Sequence, residues 1–338
     1  MKKFVQEMPK VELHVHLEGS IRPDTLLRLA EQYAVRLPAS TVEGLREWYT
    51  FQDFNHFIEV YKTISGCIRR AEDIELIACD FLAGQAAQNI LYSEVTFTAD
   101  THYRNGIPFE QQMAALRRAN EWAKTDLGVE MRLVLDIPRM ITSEQGHLTA
   151  DWVLQTAGDG LVAALGLGGP EVGYPPERFR DSFRKVLDAR IPCVPHAGET
   201  EGPASIWGAI NTLGARRIGH GVRCLEDRRL VELLRERQIP LEVCPTSNVC
   251  LKVVNAIQDH PLPVLVEEGL FVTVNSDDPA LFNTSLTEEL WLCVEVFGMD
   301  KEMIKQLTFN AARASLLPDI EKQDLLERVE RGFSALEG

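Results

Sequence analysis

Along the chain, short apolar runs rich in β-branched residues alternate with longer segments whose apolar positions recur every three or four residues. The runs are "VELHVHL" from 11, "ILYSEVTF" from 90, "MRLVLDIP" from 131, "LVAALGLGG" from 161, "IPCVPHAGE" from 191, "RRIGHGV" from 216, "IPLEVCPTSN" from 239 and "LFVTVNSDDP" from 270. Their lengths and composition are those of buried strands. Between them, "PERFRDSFRKVLDAR", "SIWGAINTLGA", "EDRRLVELLRERQ" and "LPVLVEEG" carry helical periodicity. Eight strand-helix units predict an α/β fold, a parallel (β/α)8 TIM barrel rather than an open doubly wound sheet.

One interval breaks the rhythm. Residues from about 20 to 89 read as consecutive helices, "RPDTLLRLAEQYA", "FQDFNHFIEVYKTISGCIRR" and "AEDIELIACDFLAGQAAQN". An insertion after the first barrel strand sits above the catalytic face, so this stretch is expected to supply a lid within one domain spanning 1–338. Phe51, Phe54, Phe57 and Tyr61 have the spacing of a helix face that serves a core as readily as a lid, and they are not counted as site residues.

Composition narrows the chemistry. The 338 residues are 45% apolar, enough for a large core, and 35 basic against 50 acidic side chains leave a net charge of -15. That balance disfavours nucleic acid and anionic membrane surfaces as partners and suits a small neutral or cationic molecule. Seven cysteines with no C-x-x-C pair argue against a disulfide framework or a thiolate zinc site. The start, "MKKFVQEMPKVEL", lacks a signal-peptide apolar stretch, and no segment reads as a membrane span, so a cytoplasmic location is expected.

The polar residues fall at the expected C-terminal ends of the strands, where a barrel of this kind presents its chemistry. His14 and His16 are two apart, on the same face of a strand, with Val11, Leu13, Val15 and Leu17 expected to face the other way. His196 ends the fifth run, His220 the sixth, and Asp277 and Asp278 the eighth. The remaining histidines, His56, His102, His147 and His260, fall in predicted loops or helices and are expected to be solvated or hydrogen-bonded. Three imidazoles and a carboxylate form a donor set that suits Zn2+ with room for water, and zinc lowers the pKa of bound water to about 7. Glu199, three residues after His196, is placed to act as acid or base. Glu94 either supports a strand-end histidine or makes a salt bridge inside the barrel. "CPTSN" supplies hydroxyl and amide groups near the site.

"VELHVHLEGS", "HAGE", "RIGHG", "CPTSN" and "NSDDP", in this order across nearly the whole chain, resemble the adenosine deaminase family of the amidohydrolase superfamily. The resemblance implies a zinc-assisted hydrolysis that removes the 6-amino group of a purine. It implies that His14, His16, His196 and Asp277 hold one zinc per chain. It further implies that Glu199 protonates the ring nitrogen N1, that His220 holds the attacking water and takes part in its proton transfer, and that Asp278 hydrogen-bonds that water and N7. Gly169 matches the position whose backbone N–H meets N3, although a tight turn explains that glycine equally well. The fourth strand's end lacks the lysine of binuclear relatives, which favours a single metal.

The pattern departs from adenosine-specific members at Glu18, where they usually carry an aspartate that meets the ribose 5'-hydroxyl. The added methylene moves that contact by about one C–C bond. "RIGHG" is of the nucleoside type, whereas "EVTFTADTHYRNGI" leans toward the adenine type. The expected substrate is adenosine or a 5'-modified nucleoside such as 6-amino-6-deoxyfutalosine, with free adenine second. A non-catalytic, zinc-stabilised binding protein is the alternative from a different class, and Glu199 and Asp278, which a structural zinc does not need, argue against it.

Overall fold

In the computed structural model, which describes residues 1–337, eight strands pair in sequence order: β1 (Lys10–His16), β2 (Ile90–Phe97), β3 (Glu130–Pro138), β4 (Val162–Gly168), β5 (Cys193–Ala197), β6 (Ile218–His220), β7 (Leu241–Val243) and β8 (Val272–Val274). Every neighbouring pair is parallel. A bridge between Val15 and Asp277 joins the last strand's end to the first, which closes the (β/α)8 barrel. Helices follow the strands and cover their outer faces, so β1 is buried along its whole length, as parallel sheets require.

The register slips within β1 between Glu12 and Val15. There the Asn275 side-chain oxygen accepts from both Leu13 N (2.9 Å) and His14 N (3.2 Å). The strict alternation expected over residues 11–17 is therefore interrupted. Glu12 does not join the two histidines; its carboxylate turns to Gln85 on an outer helix (2.7 Å) and to Ser276 Oγ (2.6 Å). The four apolar residues divide, with Val11 and Leu13 in one core cluster and Val15 and Leu17 in another.

Four helices separate β1 from β2: Pro23–Gln32, Val42–Trp48, Phe54–Ser65 and Ala71–Ala87. The last packs on β2 and on helix Phe109–Asp126, within the ring of outer helices. Phe54–Ser65 behaves differently. Asp53 caps it by accepting from His56 N at 2.9 Å, and its Phe54, Phe57, Ile58 and Tyr61 lie beside the C-terminal ends of the strands. Among the described residues, no helix is long and apolar enough to cross a membrane.

At the opposite end, the barrel interior holds a fully buried cation, Arg217. Arg217 donates to Glu94 (2.5 Å), to Glu242 (2.5 Å) and to the carbonyl of Ala314 (2.8 Å), with all three of these charged side chains excluded from solvent. Glu94 also accepts from Tyr92 OH (2.9 Å) and Leu316 N (2.5 Å). Of the two roles expected for Glu94, the structure shows the interior salt bridge. A guanidinium keeps its charge at any pH proteins meet, so the two carboxylates depend on it. Arg217→Met is expected to cost about 3–5 kcal/mol, because it strands two buried charges, read as a lower midpoint of urea unfolding. A cost under about 1 kcal/mol, the size of a surface pair, would mean that other groups neutralise them.

Candidate active site

The strand ends bring four predicted residues to one point. His16 Nε2 lies 3.1 Å from His196 Nε2, and Asp277 Oδ1 lies 3.3 Å from both His14 Nε2 and His16 Nε2. A cation about 2.0–2.1 Å from each of four tetrahedral donors sets neighbouring donors about 3.3 Å apart. The cluster already has that spacing.

The far sides of the rings agree. His14 Nδ1 donates to Glu242 (2.9 Å) and His196 Nδ1 to the Leu167 carbonyl (2.9 Å). Both therefore turn a bare Nε2 inward, and His14 Nε2 is buried with no hydrogen-bond partner. Two imidazole lone pairs and a carboxylate aimed at one buried point are costly unless a cation sits there. The donor set fits a divalent metal.

Backbone geometry delivers the carboxylates and the next histidine. Asp277 and His220 both adopt left-handed conformations, with φ of 64° and 61°, a strain of about 1–3 kcal/mol each that clusters at functional sites. The Asp277 backbone is held by β1, since His16 N donates to Asp277 O (2.8 Å) and Asp277 N to His14 O (3.1 Å). Gly19 makes room for Asp278: a Cβ there would stand 1.7 Å from Asp278 Oδ1.

Glu199 sits on a turn built around another carboxylate. Glu171, the last residue of "GLGGPE", accepts from the backbone N–H groups of Gly198 (2.9 Å), Glu199 (2.8 Å) and Thr200 (2.8 Å), and from Ser205 Oγ. Burial would raise its pKa, but Arg139 and these donors hold it below the usual range. Glu199 goes the other way: burial, with Asp277 and Glu171 nearby, pushes it well above the usual carboxylate range. Its Oε1 is 3.7 Å from His220 Nε2. Burial also takes His220 down to about 4, a neutral ring. Asp277 is held well below its ordinary value, because the adjacent His14, His16 and His220 rings outweigh its burial. Burial, with Asp277 adjacent, raises Asp278 despite His16. The surroundings thus push three carboxylates in one cleft apart, Glu199 and Asp278 upward and Asp277 downward.

His16, His196, Glu199, His220, Asp277, Asp278 and Gly169 line one cleft; His14 lies beneath it. Gly169 has φ of 94°, so a side chain there would be strained. Glu18 does not line the cleft. It stands one layer behind, fully buried, where Oε1 accepts from His102 Nε2 (2.9 Å) and Thr98 N (3.1 Å) and Oε2 accepts from Tyr61 OH (3.2 Å). Burial would raise Glu18, but the His102 hydrogen bond holds it below the usual range.

Several lining or supporting groups escaped the sequence reading. Of the four aromatics weighed as lid or core, Phe54, Phe57 and Tyr61 line the cleft, Phe51 does not, and Phe57 also belongs to the core cluster that holds Phe51. Asp136 also lines it, with Oδ1 accepting from Thr98 Oγ1 at 2.7 Å. The readable signal for Asp136 and Glu242 was a lone carboxylate inside an apolar strand run, the same signal that marked Glu94.

The adenosine deaminase family profile matches residues 9–332. The chain belongs to the adenosine deaminase family. It is 37% identical over 340 residues to the aminodeoxyfutalosine deaminase of Streptomyces avermitilis, covering 98% of this chain and 92% of that one. The crystal structure of adenine deaminase from Arthrobacter aurescens superposes with a TM-score of 0.91 at 31% identity, covering 97% and 99% of the two chains. A zinc-bound amidohydrolase structure from Burkhoderia ambifaria gives a TM-score of 0.90 at 25% identity, covering 99% and 94%. The membership makes this protein an aminohydrolase of a metal-dependent family, and the buried His14, His16, His196 and Asp277 are a group that could hold a metal ion.

Glu242 fixes the His14 ring from behind, so Glu242→Gln is expected to weaken cation binding about 10- to 100-fold. Competition with a chromogenic chelator measures it; unchanged affinity would remove Glu242 from the site.

Proposed function

We propose that this protein removes the 6-amino group from a purine nucleoside, adenosine or one modified at the 5' position such as 6-amino-6-deoxyfutalosine, by hydrolysis assisted by one Zn2+. The shape of the cleft carries the nucleoside reading. Phe54, Phe57, Ile58, Tyr61, Lys62 and Ser65 form one wall, and that span of helix rises about 16 Å. The wall outruns a fused two-ring base and leaves space for whatever N9 carries. Helix Phe54–Ser65 acts as the lid over that outer half.

His14, His16, His196 and Asp277 hold the cation, whose contribution is Lewis-acid activation of water. Glu199, protonated through its burial, gives its proton to N1 as the bond to C6 forms, so negative charge does not accumulate on the ring. His220 holds the attacking water on the face opposite the ring. Asp278 hydrogen-bonds the water and N7, which fixes C6 over the oxygen. The N–H of Gly169 meets N3. Burial pushes His220 toward the neutral ring and Glu199 toward the protonated acid, the forms these two roles need.

Free adenine is the second reading. It is favoured by Glu18, whose carboxylate is already engaged by His102, Thr98 N and Tyr61 and has no direct route to a ribose 5'-hydroxyl. Under this reading Glu18 shapes the cleft through Tyr61.

Ammonia release from zinc-loaded protein given adenosine, adenine and 6-amino-6-deoxyfutalosine separately tests both. A nucleoside is expected to turn over best, and Glu199→Gln is expected to lower kcat by at least about 100-fold, the usual share of a general acid. Preference for adenine would overturn the nucleoside reading, and no ammonia from any of the three would overturn the substrate class. Glu18→Asp is expected to change the relative activities by moving Tyr61; identical ratios would end any specificity role for Glu18.

A further inference from the structure

Hydrolysis requires the attacking water to lose a proton, and the tautomer of His220 decides whether its ring can take it. A neutral imidazole has one N–H and one bare nitrogen, and the partner of the far nitrogen selects which is which. For His220 the far nitrogen is Nδ1, 3.3 Å from Asn248 Nδ2. The Asn248 amide is oriented in turn by His260, whose Nε2 lies 3.1 Å from Asn248 Oδ1.

His260 is itself set by a group with no choice. Leu262 N–H donates to His260 Nδ1 at 3.1 Å, and a backbone N–H can only donate. Leu262 opens the helix Leu262–Glu267, so this N–H has no carbonyl partner within the helix. From that fixed end the network has one solution. His260 is bare at Nδ1 and protonated at Nε2; Asn248 turns its oxygen to His260 and its amide N–H to His220; His220 is bare at Nδ1 and protonated at Nε2.

Reversing the polarity would set two N–H groups against each other at Leu262. In a region where His260, Asn248 and His220 are all buried, that leaves donors unpaired at about 1–3 kcal/mol each. A ring that accepts at Nδ1 has at most one N–H and is neutral, so these hydrogen bonds leave both rings uncharged.

We propose that Leu262 N–H, His260 and Asn248 form a one-way hydrogen-bond relay that locks His220 as its Nε2–H tautomer, so that His220 donates to the attacking water and does not take its proton. The geometry at the far end agrees. His220 Nε2 lies 3.7 Å from Glu199 Oε1 and 3.8 Å from Asp277 Oδ2, too far for direct hydrogen bonds but spaced for an oxygen between them. In its ionised form Asp278, whose Oδ1 is buried without a partner on a residue that lines the cleft, takes the water's proton and then holds it toward N7. His260 and Asn248 are positioning residues, and their catalytic consequence rests on the deaminase reading, whereas the tautomer does not.

The test reads the tautomer directly. In zinc-loaded protein labelled with 15N-histidine, long-range 1H–15N correlation spectra separate bare from protonated ring nitrogens, and His220→Gln assigns the His220 signals by subtraction. His220 and His260 are both expected to be neutral and protonated at Nε2. Asn248→Asp, nearly isosteric, offers His220 an acceptor where the amide offered a donor. Its His220 Nδ1 is expected to become protonated, with kcat lowered about 10- to 100-fold and KM little changed. A wild-type His220 protonated at Nδ1 would overturn the relay, as would an Asn248→Asp spectrum identical to wild type. If that variant misfolds, the wild-type spectrum alone decides. An Nε2–H His220 in a protein that releases no ammonia from any aminopurine would support the relay while refuting the deaminase reading.

Discussion

The seam between β8 and β1 is the constraint on which the rest of the site depends. β8 ends at Val274, and it is Asp277, beyond its end, that bridges to Val15 of β1, so the chain past the strand completes the pairing. Asp277 exchanges two backbone hydrogen bonds with the His14–His16 segment, and Asn275 and Ser276 reach across with their side chains. Side chains here substitute for missing backbone partners. The same contacts set two histidines beside a carboxylate, so barrel closure and metal-site assembly are one event. The left-handed backbone at Asp277 is the strain accepted for it.

Charge is organised in two layers along the barrel axis. Below the metal centre, Arg217 neutralises Glu94 and Glu242, and Glu242 in turn orients His14. Above it, Glu171 gathers backbone N–H groups, and Arg139 ties the same turn down through the His196 carbonyl (2.5 Å) and the Tyr174 carbonyl (2.7 Å). Arg217 and Arg139 thus serve carboxylates or carbonyls that support a functional side chain, not the functional side chain itself. The cleft is left with carboxylates sorted by environment, and that sorting requires the cationic partners to stay one layer away.

The fold and the first ring of site residues were legible because both are periodic. Strand runs announce themselves by composition, and a strand's two-residue period placed His14 and His16 on one face. What supports them was not legible, since it depends on contacts between distant runs: His14 to Glu242 spans 228 residues and Glu199 to Glu171 spans 28. The slip in β1 was invisible for the same reason. It answers to Asn275 on the other side of the seam, not to the residues it displaces. His260 was correctly read as hydrogen-bonded, yet only the three-dimensional order of Leu262, His260, Asn248 and His220 gives those bonds a direction.

Glu18 illustrates how a motif residue can keep its place and change its contact. A glutamate at this position reaches past the cleft wall to His102 and Thr98 N, and its second oxygen takes the Tyr61 hydroxyl proton. Tyr61 then faces the cleft with its proton committed and only lone pairs to offer. Asp136, across the same cleft, likewise has one oxygen satisfied by Thr98 and can only accept at the other when ionised. Tyr61 and Asp136 therefore offer acceptors to the cleft, beside Lys62, Ser65 and Thr101 of the same lining. A group bound between Tyr61 and Asp136 gains most by donating hydrogen bonds to them.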